Sequence, residues 1–385
     1  MTFTIDREYT LQTLVELVQI NSMNPDLADD GPGEAEIGAY TAEAMRQLGL
    51  DVTVYDLDNG RVNVVGVLKG KGNGRSLLLN AHLDTVGVEG MEDPFGAMVE
   101  DGRLYGRGSQ DMKGSLAAML GATKALVDAG VELAGDLLVT AVADEEYESI
   151  GMDDLVKHVT ADGAIVTEPT DMGLCRAHRG FIWFDVETFG RAAHGSRYQD
   201  GIDANMHMGR FLAELDKLEQ DLRQRSPHPL AGPPSLHASM LQGGSAPSIY
   251  SDYCHLRMEW RSTPGESMAQ VTAELQAIID KLSAADPTFN ATVKPLFGRD
   301  AFEVDKDAPV VQSLAKGITA VFNQPPVHTG ATFWTDAAIL STAGIDTALI
   351  GPIGAGLHSV EEWVEVQSVF DLAQILAETA VDFCR

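Results

Sequence analysis

The sequence predicts an α/β protein: a catalytic domain with a mostly parallel central sheet flanked by helices, interrupted by an inserted α+β module. Three observations carry this. Residues 77–84 (LLLNAHLD), 137–146 (LLVTAVADEE) and 163–169 (GAIVTEP) are near-continuous apolar runs, as strands buried on both faces are. These runs, and the one at 348–352 that leads to His358, finish in His, Asp or Glu. Ligands of open α/β sheets collect at the carboxyl ends of strands, so such endings point to one site assembled from distant pieces. After Glu168 the pattern changes to strands and helices without these endings, and it reverts from about Pro309.

The elements follow in order. An amphipathic helix is expected over about 7–20, with Leu11, Leu14, Val15 and Val18 on one face. A second helix over 34–48 stops at Gly49. Strands are expected at 52–57 and 62–68. Residues 70–76 are Gly-rich but lack the order of a phosphate-binding loop, and read as a hairpin turn before the strand at 77–84. The segment 104–114 (LYGRGSQDMKG) precedes a buried helix at 113–129. The insertion contains a strand at 181–188, His194 in a loop, a helix at 202–222, a Pro/Gly-rich stretch at 226–244, a strand at 254–261 and a helix at 266–282. Helices at 310–322 and 367–383 complete the first domain. The boundaries are therefore 1–178 and 295–385 for the catalytic domain and 179–294 for the insertion.

A length of 385 residues suits two domains, and 44% hydrophobic content supplies their cores. The net charge of −30 argues against nucleic acid or an anionic membrane as partner, because both need Lys and Arg to neutralise phosphate. No run approaches the roughly 20 apolar residues that span a bilayer. Residues 1–8 show neither a basic leader nor an apolar stretch and read as an unprocessed start. Cys175, Cys254 and Cys384 are odd in number, widely spaced and without a CxxC, which suits reduced thiols in the cytoplasm. A serine hydrolase is disfavoured because no GxSxG turn occurs.

His82, Asp111, Glu146, Glu168 and His358 are metal-ligand types. Two histidines and three carboxylates exceed one tetrahedral zinc and suit two ions about 3.5–4 Å apart that share a carboxylate. Of the adjacent Glu145 and Glu146, one can coordinate while the other takes a proton from water and delivers it to a leaving group. Asp84, two residues after His82, projects to the same side and is placed to orient the imidazole. Singly, each residue has an ordinary explanation as a solvated loop or surface group. Their recurrence at strand ends does not.

Residues 80–86 (NAHLDTV), followed by Asp93-Pro94-Phe95 and by 104–114, resemble the M20 family of metallopeptidases and deacylases, and the resemblance covers essentially the whole chain. It implies that His82 and Glu168 hold one ion, Glu146 and His358 the other, and that Asp111 bridges them. Glu145 would be the general base and acid, with Asp84 orienting His82. The cofactors implied are two divalent ions, zinc with cobalt also accepted. The insertion becomes a lid domain that often dimerises, which implies a homodimer through it. His194, in residues 192–195 (AAHG), would stabilise the oxyanion as a donor aimed at developing charge.

Arg261 resembles the family's lid arginine that grips a substrate carboxylate, with a surface salt bridge as the competing reading. Arg179 is a second substrate-binding candidate. Gly330 and Thr335 lie in 330–336 (GATFWTD), which matches a loop lining the substrate pocket, with a purely structural role equally open. The chain departs from the family after Gly243-Gly244: an Asn followed by Pro is usual, and residues 248–252 read SIYSD.

The expected activity is hydrolysis of a linear amide in amino-acid metabolism, on a small substrate with a free carboxylate. The reading favoured is an acetylornithine-deacetylase-like enzyme that removes the acyl group of an N-acyl amino acid. The alternatives are a succinyl-diaminopimelate-desuccinylase-like enzyme, a dipeptidase or a carboxypeptidase. A hypothesis of another class is a non-catalytic, metal-binding dimeric module, against which Glu145 beside an intact ligand set speaks.

Overall fold

A computed structural model describes residues 3–385; Met1 and Thr2, part of the expected unprocessed start, lie outside the described residues. The chain forms two units, one running through Arg176 and including 304–329 and 335–385, the other comprising 177–303 and 330–334. Helix α1 (Arg7–Gln19) starts where the Asp6 side chain accepts from the Tyr9 amide at 3.0 Å, and it buries Leu14, Leu17 and Val18. Then come α2 (Ala35–Gln47), β1 (Asp51–Asp56), β2 (Val62–Leu68), β3 (Leu77–His82), β4 (Met98–Glu100), β5 (Arg103–Tyr105), α3 (Gly114–Asp128), β6 (Leu137–Val142), α4 (Ile150–His158), β7 (Gly163–Val166) and β8 (Leu174–His178).

Strands β3, β6 and β7 are buried along their whole length, and β3 runs parallel to both of the others. Their carboxyl ends therefore open on the same edge of the sheet. The segment 70–76 is not a hairpin turn. Strand β6 lies between β2 and β3, antiparallel to the first and parallel to the second. The segment instead passes the start of β6, with the Lys71 amide donating to Leu133 O at 3.0 Å and the Asn73 amide to Ala134 O at 3.1 Å. Its glycines serve that close passage: a Cβ on Gly70 would sit 2.2 Å from the Gly135 carbonyl oxygen.

The second unit contains β9 (Phe181–Phe189), α5 (Ala204–Leu222), β10 (Ser235–Gly243), β11 (Tyr253–Arg261), α6 (Met268–Ala285), β12 (Asn290–Arg299) and β13 (Phe302–Glu303). Its antiparallel sheet has the order β10-β11-β9-β12. Phe184, Phe211, Leu256, Trp260 and Leu275 form its core. Strand β10 lies in the stretch expected to be a Pro/Gly-rich connection. Only Leu236 on it is buried, so the inward-outward alternation that marks a strand is missing. Strand β12 pairs with β9 through Arg299, so the chain returns to the first unit at Val304 rather than at 295.

The return supplies α7 (Pro309–Phe322), β14 (His328–Ala331), α8 (Ala337–Thr342), β15 (Thr347–Leu349), β16 (Gly354–Ala355), β17 (Trp363–Glu365) and α9 (Val366–Phe383). Strand β15 is parallel to β7 and extends the central sheet. Strands β16 and β17 join β5 and β4 in a small sheet, which sets the loop carrying His358 beside the segment carrying Asp111. No helix among the described residues is long and apolar enough to cross a membrane.

Candidate metal centre

The first unit brings all five ligand-type residues together. His82 ends β3, Glu145 and Glu146 follow β6, Glu168 follows β7, Asp111 precedes α3, and His358 lies between β16 and β17. His82 Nε2 is 3.0 Å from Asp111 Oδ1 and 4.0 Å from Glu168 Oε1. His358 Nε2 is 3.0 Å from Glu146 Oε2 and 3.6 Å from Asp111 Oδ2. Asp111 thus turns one carboxylate oxygen toward each histidine. Ligand atoms of His82, Asp111 and Glu146 fall within 4.8 Å of one another, as do those of His82, Glu145 and Glu168. Glu145 therefore sits inside the cluster, on the His82 side.

The electrostatics match a cation site. Burial, with Glu168 close by, pushes the Glu145 carboxyl well above its ordinary range. Burial and the Asp111 charge raise Glu146 to about 7. Glu168 is driven well up by burial; His82 pulls it down, while the Asp111 and Glu146 charges push it further up. Burial would lower His82, but Asp111 and Glu168 outweigh it and hold the imidazole well above its usual value. Bonds to Asp111 and Glu146 lift His358 to about 10. Asp111, despite burial, is held below its ordinary value by the two histidines. Carboxylates this crowded stay ionised together only beside compensating positive charge. Glu146 Oε1 and Glu168 Oε1 are buried with no hydrogen-bond partner among the described residues, which leaves lone pairs available to a metal. The donor set of imidazole nitrogen and carboxylate oxygen fits divalent zinc.

Asp84 acts differently from the sequence expectation. Its main-chain carbonyl, not its carboxylate, accepts from His82 Nδ1, at 2.9 Å; the nearer carboxylate oxygen is 3.5 Å away without a hydrogen bond. The carboxylate instead accepts the Glu145 and Glu146 amides at 3.1 and 3.2 Å. It thereby fixes the turn that presents both glutamates. Sequence reasoning missed what lies beneath. Asn24 Nδ2 donates to Asp84 Oδ2 at 2.8 Å and to Asp144 Oδ1 at 2.9 Å. Arg61 bonds Asp144 at 2.8 Å, Asp26 at 3.0 Å and Glu34 through a short double contact. Asp144 holds a left-handed φ of 69° and accepts the Ile150 amide at 3.2 Å. No motif flags Asn24, Arg61 or Glu34; only the folded chain joins them to the site.

The remaining candidates belong mostly to the second unit. His194 is exposed, and the Ser196 amide donates to its Nδ1 at 3.2 Å. A main-chain N–H can only donate, so Nδ1 accepts here and Nε2 is the nitrogen left to donate. Arg261 Nε donates to Glu259 Oε1 at 2.6 Å, and its guanidinium lies 5.5 Å from the centre of the Phe181 ring. Arg179 Nε donates to Ala231 O at 2.9 Å; burial, with the Arg261 charge nearby, lowers its guanidinium below the ordinary value. A Cβ on Gly330 would meet the Leu230 main chain at 2.5 Å, which alone explains the glycine. In the first unit Thr335 is buried and its hydroxyl accepts from the Ala337 amide at 3.2 Å, a structural role in starting α8.

Known proteins resemble this chain over nearly its whole length. The model of "Peptidase family M20/M25/M40" matches residues 78–382. An acetylornithine deacetylase of Myxococcus xanthus is 31% identical over 97% of both chains. An N-formyl-4-amino-5-aminomethyl-2-methylpyrimidine deformylase of Bacillus subtilis is 29% identical over 90% of this chain and 89% of its own. Among solved structures, the aminopeptidase PepT of Bacillus cereus superposes with a TM-score of 0.82 at 20% identity, covering 99% of this chain and 100% of that one. The chain belongs to peptidase family M20/M25/M40 and is a metal-dependent hydrolase of amide bonds.

Proposed function

We propose that the protein is a two-metal deacylase that removes a short acyl group from the nitrogen of a small, carboxylate-bearing amino acid. The observation that carries this is the placement of Asp111, one oxygen toward each histidine, which suits a carboxylate shared between two ions. In this reading His82 and Glu168 hold one ion, Glu146 and His358 the other, with zinc the native metal and cobalt a working substitute. Bound there, two divalent ions supply Lewis acidity and make the proton of a nearby water easy to remove.

The chain's own groups supply the rest. Glu145 takes the proton from water and returns it to the departing amine; without metal, burial and its neighbours raise its carboxyl well above the ordinary range, and cations beside it would favour the ionised form that accepts a proton. Asp84 holds the Glu145 amide so that the carboxylate stays aimed. His194, with its proton on Nε2, donates to the oxyanion that develops on the acyl carbon. Arg261 and Arg179 receive the substrate carboxylate. Two relatives that release small acyl groups, one an acetyl and one a formyl by their names, favour deacylation over peptide cleavage.

Strand β10 is an edge strand with exposed Met240 and Leu241, and we assign it to pairing with a second copy of the chain. The three cysteines are buried and form no disulfide, which suits the cytoplasm. The test is a panel of N-acetyl, N-formyl and N-succinyl amino acids and dipeptides on protein supplied with zinc or cobalt. N-acetyl or N-formyl substrates should be hydrolysed fastest; fastest turnover of dipeptides would replace the deacylase reading. Glu145→Gln should lower kcat by about 10²–10⁴-fold while metal content stays near that of wild type.

A further inference from the structure

The loop between β16 and β17 carries His358 and closes on Glu362, which is 1% exposed. The Glu362 carboxylate is spent entirely on another loop. Its Oε1 accepts the Gln110 and Asp111 amides at 3.0 and 3.1 Å, and its Oε2 accepts the Gly108 amide at 3.0 Å and Arg107 Nη1 at 2.7 Å. Arg107 reaches back with Nη2 to Ser359 O and with Nε to Gly87 O, both at 2.9 Å. The Gly106 amide donates to Glu362 O at 3.1 Å. Gly108 has φ 78°, and a Cβ there would lie 2.7 Å from Thr85 Cγ2, so the main chain can follow this path only as glycine. The segments bearing Asp111 and His358 are thus locked together by one buried carboxylate with four donors.

We propose that Glu362 is a positioning residue that fixes Asp111 relative to His358 and so sets the affinity for one ion of the pair, the one held by Asp111, Glu146 and His358. The inference rests on the two-ion reading above. The chemistry explains why the clasp works through the main chain. A hold through the Asp111 amide positions the residue without taking a lone pair from its carboxylate oxygens. It also explains why the residue is Glu. A glutamine could still accept the Gln110 and Asp111 amides, but its NH2 would then face Arg107 Nη1 and the Gly108 amide, donor against donors. An aspartate is one methylene too short to reach the same amides.

The experiment titrates metal-free wild type and Glu362→Gln with Co²⁺, following heat and the visible absorption of bound cobalt. Wild type should show two binding events. The variant should keep one near its wild-type affinity and weaken the other about 10–100-fold, the usual effect of removing a group that orients a ligand. Glu362→Asp should fall between the two. If wild type binds fewer than two ions, the two-ion reading fails whatever the variant does. If wild type binds two ions and the variant binds both unchanged, or weakens both equally, the positioning role is wrong. Hydrogen exchange on metal-free wild type gives a check that needs no variant to fold. The amides of Gly108, Gln110 and Asp111 should be protected before metal is added, and exchange at open-loop rates would overturn the proposal.

Discussion

Adding zinc to the metal-free protein at pH 7 should release protons in a number the site itself dictates. Without metal, His82 and Glu168 lie well above their ordinary pKa values, which favours a proton on each. His358, at about 10, carries another, and Glu146, at about 7, is half protonated. Asp111 is already ionised and contributes none. Ligands must be deprotonated to bind, so loading both ions should release about 1.5 protons from His358 and Glu146, and more as His82 and Glu168 give up theirs. Zinc titration calorimetry in buffers of different ionisation enthalpy measures this number directly. Its sign follows: with protons as competitors, affinity should fall steeply as pH drops below 7. The metal-free protein itself should lose stability with rising pH. His358 is raised from 6.5 to about 10, so the stability it contributes is complete below 6.5 and lost through about 10. Glu145 and Glu168, raised from 4.5, hold protons the unfolded chain has shed, which gives a slope of the same sign above 4.5. Metal loading should abolish that slope in thermal melts. Release of fewer than about one proton at pH 7 would mean that the histidines and carboxylates do not share charge as described, and that the ligand assignment is wrong.

Further outcomes follow from the same geometry. Asn24→Ala removes the one amide shared by buried Asp84 and Asp144; a loss of about 1–3 kcal/mol in urea unfolding is expected, with kcat lower and bound metal nearly unchanged. An unchanged midpoint and kcat would show that Asp84 needs no such support. His194→Ala should reduce kcat by about 10²–10³-fold with KM within a few-fold, since an oxyanion donor acts in the transition state; a change in KM alone would assign it to substrate binding. Charge introduced on the free edge by Leu241→Glu should convert a dimer to monomers in sedimentation velocity, and a wild type that sediments as a monomer would remove the β10 assignment.

What could be read from the sequence divides along physical lines. Apolar runs ending in metal-binding residues were legible because a strand buried on both faces leaves a continuous signal and its end is a fixed place in a parallel sheet. The crossing order of strands was not. Gly70 to Ser76 has the composition of a tight turn, yet it passes β6, because glycine suits a close approach as well as a reversal. Strand β10 was lost because an exposed edge strand need not alternate. Asp84 was found from its two-residue spacing to His82, but spacing says where a side chain points and not which of its oxygens is used. Asn24, Arg61 and Glu362 left no local trace. Each reaches an acidic residue at or behind the site 60 or more positions away (Asp84, Asp144 and Asp111), and only folding sets the pairing.

These hidden residues share a logic that follows from the ligands' chemistry. A carboxylate shared between ions has few lone pairs left for strong donors, so main-chain contacts can position it without taking them. The fold therefore fixes the ligands by their main chain. Asp84 takes the amides of Glu145 and Glu146, and Glu362 takes those flanking and including Asp111. Both holding groups are themselves anions, which places further negative charge behind the site. That choice strengthens the amide bonds, since N–H donors to a carboxylate bind more tightly than to a neutral acceptor. It also raises the attraction for a divalent cation. Arg107 pairs directly with Glu362, and Arg61 pairs with Asp144, which shares Asn24 with Asp84, so both offset part of this charge without bonding a ligand residue. The arrangement accounts for the depth of buried acid in the first unit: one layer of carboxylates binds, and a second layer keeps the first in place.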